Sequence, residues 1–142
     1  MKPFIPLLCA ALLSLARPAA AAEPNAMFLI RDTTRSADEV VAATKAYVKS
    51  QDWVYVNDAS LKGVVFVKFC VPEMAKDIFA AGDHLAALLP CGSMAVYRKG
   101  GRTQISMLHP GYMNAVQPDP NLERAARTGL PLFNALLDAV VK

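Results

Sequence analysis

The groups in this chain best suited to chemistry are two cysteines at either end of one short helical run. Residues 69 to 92 read FCVPEMAKDIFAAGDHLAALLPCG, with Cys70 two places before Pro72 and Cys91 directly after Pro90. In an oxidising compartment the default for such a pair is a structural disulfide. It would close a loop of roughly 20 residues and stabilise by about 3 kcal/mol on a chain-entropy estimate. Alternatively the thiols act together, as a redox pair or as ligands of a soft metal. Redox catalysts usually hold their cysteines as C-x-x-C at a helix start, where the dipole depresses one thiol's pKa, and that spacing is absent. Cys70, just ahead of a helix opening at Pro72, would still feel such a terminus. For a metal, Met74, Met107, His109 and Met113 are accessory donors that, with the cysteines, suit Cu(I). Against this, Met74 falls at helical spacing on a buried face, Met94 and Met107 fall in strands, where methionine commonly fills core, and His109 caps a strand end. Structural zinc asks for four Cys or His donors, and beyond residue 22 the chain has two of each.

Hydrolase, metalloprotease, P-loop, dinucleotide and covalent-haem signatures are all missing. Asp83-His84 with Tyr112 would be the remaining acid-base set, yet Gly82-Asp-His reads equally as a helix-to-loop corner. No catalytic residue is therefore assigned.

The elements that must position the cysteines follow from pattern. MFLIRD, residues 27–32, suits a strand. Ser36-Ala-Asp-Glu39 is a capping box, and Val40, Val41, Thr44, Tyr47 and Val48 then recur at helical spacing, predicting a helix from Ala37 to Gln51. Trp53–Val56 reads as a strand ended by a turn at Asn57–Ser60, and Val64–Cys70 as a stronger strand. Pro72 opens a helix to Ala81, stopped by Gly82. Strands Ser93–Tyr97 and Thr103–Leu108 flank Gly100-Gly101 as a hairpin. Leu122–Lys142 reads as a helix or two, bent or divided by Pro131. Phe28, Trp53, Phe66 and Phe133 are expected in the core, although any of them would equally line a pocket. The order predicts an α+β fold, a mostly antiparallel sheet with helices packed against one side.

The chain opens MKPFIPLLCAALLSLARPAAAAEPN, with a positive start, an apolar run and an A-x-A site at Ala20–Ala22. Residues 1–22 are expected to be a secretory signal peptide, too short in its apolar run for a bilayer span, and Cys9 leaves with it. What remains, 23–142, is the size of one domain. Loss of Lys2 and Arg17 brings the formal charge from +3 to +1, so no electrostatic footprint for nucleic acid remains. The expected location is the periplasm or beyond, which is oxidising. No later segment is apolar enough to span a membrane.

The runs VFVKFCVPEMAKDIFAAG and LLPCGSMAVYRKGGRTQISMLHPGYM resemble the cysteine-bearing branch of the family called domain of unknown function 302. In that pattern a strand ends in Phe-Cys-Asn-Pro, a helix follows, and Met/Leu-Pro-Cys opens a hairpin strand carrying Val-Tyr. Phe69, Cys70, Pro72, Leu89, Pro90, Cys91 and Tyr97 match it, and Val71 departs where Asn is expected. The resemblance implies a compact α+β domain with a tendency to form a homodimer, and no settled activity. Taken together, the sequence predicts a binding or interaction module for a small ligand or protein, without cofactor and stabilised by a Cys70–Cys91 disulfide. The rival is a thiol-redox or copper-handling protein, and an enzyme of unrecognised type comes third.

Overall fold

The structure, a computed structural model, describes residues 27–142. The expected signal peptide lies outside them. The elements run β1 (Phe28–Thr33), α1 (Ala37–Ser50), β2 (Val54–Leu61), β3 (Val64–Cys70), α2 (Pro72–Ala81), a 3-10 segment (Asp83–Leu88), β4 (Gly92–Lys99), β5 (Arg102–Leu108), α3 (Tyr112–Val116) and α4 (Pro120–Val140). The five strands form one antiparallel sheet ordered β1-β5-β4-β3-β2. This is the α+β architecture the sequence predicts.

Local chemistry explains the element ends. The capping box forms: Ser36 Oγ accepts from the Glu39 amide at 3.2 Å, and Glu39 Oε2 accepts from the Ser36 amide at 2.7 Å. Asp119 caps α4 by accepting from the Asn121 amide at 2.7 Å, with Pro120 in the first turn, where its missing N–H leaves no bond unmade. Both hairpins turn on two residues at positive φ, the requirement of a type I′ turn. These are Gly100-Gly101 at 55° and 79°, and Lys62-Gly63 at 50° and 79°.

Three expectations are corrected. The turn placed at Asn57–Ser60 is strand; β2 continues through it and reverses at Lys62-Gly63, with a bulge between Tyr55 and Asn57. Its polar composition reflects an edge strand exposed along most of its length, where water rather than a core sets residue choice. Of the bend or division expected at Pro131, the division does not occur: α4 runs unbroken from Pro120 to Val140. A mid-helix proline costs about 3 kcal/mol, but Phe133, Leu136, Leu137 and Val140 are all buried beyond it, each contributing about 1.5–3 kcal/mol. Packing wins. Phe28 and Phe66, expected in the core or lining a pocket, are 46% and 38% exposed and line a surface trough. Side chains alternate across a strand, so Phe66 stands on the opposite face from buried Val67 and Phe69.

That alternation defines the molecule. Val67, Phe69, Met94, Val96, Ile105 and Met107 point to the helix layer and are buried, whereas no helix among the described residues lies over the other face. Trp53 stacks on Phe69 with centroids 5.7 Å apart, and Phe69 meets Phe133 of α4 edge-on at 5.9 Å. Gly129 lets α4 approach α2 closely, since a Cβ there would lie 2.5 Å from Met74 Sδ. Among the described residues no helix is long and apolar enough to cross a membrane.

Candidate functional site

β3 and β4 are neighbours, and their last paired residues are Phe69 and Gly92. One step beyond that pair on each strand stand Cys70 and Cys91, so two residues 21 apart in sequence become cross-strand neighbours. Gly92 is needed here because a Cβ would overlap the Phe69 ring. The sulfurs lie 3.9 Å apart as free thiols, against about 2.05 Å for a bonded pair. The crosslink expected from the sequence is thus open in this structure, with its two sulfurs already in contact.

The thiols are unequal. Cys91 is 2% exposed, whereas Cys70 is half-buried. Cys91 Sγ accepts from the Val71 amide at 3.3 Å, and its S–H lies within reach of the Cys70 sulfur at 3.9 Å and of the Val71 carbonyl at 3.8 Å. That donated S–H holds the Cys70 thiol down to about 6, outweighing the opposing effect of partial burial. Cys91 is pushed up, first because its proton bonds Cys70 and then because it is buried, with a negative Cys70 adding repulsion. The pair titrates as one unit: the first proton leaves from Cys70, and the second is held tightly. Cys70 also sits two residues ahead of Pro72 at the start of α2, whose N-cap Val71 has no side-chain capping bond.

Tyr112 is a neighbour that sequence reasoning assigned elsewhere. It is half-buried, its hydroxyl donates to the Leu88 carbonyl at 3.4 Å, and its ionisation is pushed up by burial and then by the charge of Cys91. Only the folding of the 83–91 segment against α3 brings it there, and no spacing signals that. Val71's amide was equally invisible, being backbone. Met74, Met107 and Met113 are fully buried in the hydrophobic core, with Met107 paired in register to Met94 and Met74 against Gly129. His109 is half-buried, and its Nδ1 accepts from the Gly111 amide at 3.0 Å. His84 contacts Gln117 at 3.4 Å. Among the described residues no cluster of three or more Cys, His, Asp or Glu side chains is placed to hold a metal ion.

The chain matches a known family. Over residues 30–140 the chain matches the family model described as "Domain of unknown function DUF302". Its fold is similar to that in "Crystal structure of uncharacterized conserved protein DUF302 from Bacillus stearothermophilus", with a TM-score of 0.71 and 19% identity over 82% of this chain and 99% of that one. No match was found among curated proteins. The matched region runs from β1 to the end of α4 and includes both cysteines, and the chain therefore belongs to the domain of unknown function DUF302 family.

Proposed function

We propose that this protein is a secreted, periplasmic thiol–disulfide module in which Cys70 is the attacking thiol and Cys91 the resolving one. The observation that carries this reading is the inequality of two sulfurs in contact, one accessible and easily ionised, the other buried and reluctant. A purely structural crosslink requires no such asymmetry, whereas disulfide exchange requires a thiolate first and a second thiol in reach afterwards.

The Cys70 thiolate attacks one sulfur of a partner disulfide, forming a mixed disulfide and releasing the other half as a thiolate. Loss of the Cys70 charge removes the repulsion that held the Cys91 proton, so Cys91 gives it to the departing thiolate or to water. Its sulfur then attacks Cys70 and expels the second partner thiolate. The partner is reduced by two electrons and the Cys70–Cys91 disulfide is formed. Run in reverse, the same steps donate that disulfide. The A-x-A signal at residues 20–22 supports the oxidising location.

Glutathione disulfide tests the division of labour. Cys91→Ser, which keeps a donor beside Cys70 but cannot resolve, should accumulate a stable mixed disulfide on Cys70, visible as one adduct in the intact mass. Cys70→Ala should remain unmodified at neutral pH, because Cys91 is buried. Equal labelling of both single-cysteine variants would remove the assignment. Retention of a soft metal by the reduced wild type after desalting would favour the copper-handling alternative instead.

A further inference from the structure

The helix-free face of the sheet carries a second feature that the cysteine chemistry does not use. Phe28, Phe66, Ala95 and Leu108 line a shallow trough of about 300 Å³ there, and Lys68 and Ser93 stand at one side of it. Lys68 Nζ donates to Ser93 Oγ at 2.6 Å, so a cation rests against a neutral hydroxyl among phenyl rings. None of the ion pairs formed among the described residues includes Lys68. The strand carboxylates are engaged elsewhere, Asp58 by Lys45 at 2.8 Å and Asp32 by Gln104 at 3.0 Å.

From this juxtaposition we infer that the open sheet face binds an amphiphilic carboxylate, its apolar chain along Phe28, Phe66 and Leu108 and its head group on Lys68 and Ser93. Charge decides between this occupant and a second copy of the chain. A two-fold interface brings a surface against itself, and the same face also carries Lys99, beside Phe28 in an adjoining trough, and Arg102, its register partner. Among the described residues Asp32 is the one strand carboxylate on this face, so the face is net positive and facing copies would bring like net charge together. An anion with an apolar body instead satisfies the ammonium and covers the exposed rings, and a carboxylate accepts from both the ammonium and the serine hydroxyl.

The test is titration calorimetry of the full chain with decanoate and with decan-1-ol, which share a chain and differ in charge. Decanoate should bind saturably and decanol about tenfold or more weaker, the scale expected for a charge-assisted hydrogen bond. Lys68→Met should erase that difference while leaving the melting temperature unchanged, and Ala95→Leu, which fills the trough and keeps Lys68, should weaken both. Equal affinity for the two ligands, indifference to Lys68→Met, or no saturable binding would overturn the site. So would a dimer that Phe66→Lys converts to monomer, since a second copy would then own this face. None of these readouts involves the thiols, so the inference and the thiol–disulfide reading fail separately.

Discussion

At Cys70 the decisive interaction is a single donated S–H. Cys91→Ala removes it, and the Cys70 pKa should climb from about 6 back toward the 9.0 of an ordinary thiol, as read from thiolate absorbance against pH. Cys91→Ser, which keeps a hydroxyl donor, should leave it lower than Cys91→Ala does. An unchanged titration in both variants would mean that the α2 terminus, not Cys91, sets the acidity. That two cysteines would meet was legible in the sequence, because a strand end, a helix and a strand start bring the chain back on itself. Their inequality was not. It depends on burial depth and on the Val71 amide, neither of which residue type encodes.

Among the elements, the β3–β4 junction has the least tolerance. Gly92→Ala would push a methyl into the Phe69 ring, which is wedged between Trp53 and Phe133 and has no free direction to move. A loss of about 1–3 kcal/mol is expected, the usual cost of overpacking, measured as a lower denaturant midpoint at constant slope. The β2–β3 turn offers the opposite case. Lys62 sits at a φ of 50°, where asparagine is more at ease. Lys62→Asn should therefore stabilise, by roughly 0.5 kcal/mol, and a decrease would argue against the type I′ geometry. The same region shows where local pattern misleads. Asn57, Asp58 and Ser60 carry turn chemistry yet lie in an edge strand, because an exposed edge selects no apolar alternation. Pro131 misleads in the other direction, since its local cost is overridden by a buried face that only the tertiary structure supplies. The capping box and the Gly-Gly hairpin were readable because each is self-contained within a few residues.

For the whole molecule, the unequal cysteines link stability to pH. Folded Cys70 holds its proton more weakly than the unfolded thiol does, so its contribution is present above pH 9.0 and is lost as pH falls toward about 6. Cys91, with its affinity for the proton raised, contributes below pH 9.0 and loses that contribution above it. Reduced protein should therefore melt at a higher temperature at pH 8 than at pH 6, a rise that Cys70→Ala and the oxidised protein should lack. The two-sided sheet was only half legible: alternation separates the faces, but nothing in it tells which face the helices cover, and that misplaced Phe28 and Phe66 in the core. Thiol–disulfide exchange is tested most directly by equilibrating the full chain in glutathione buffers of graded potential, quenching in acid and weighing it intact. Disulfide exchange at Cys70 and Cys91 would give a reversible conversion between dithiol and a form about 2 Da lighter. A mass that stays oxidised at every potential would make the pair an inert crosslink, and one that stays reduced would remove disulfide exchange altogether.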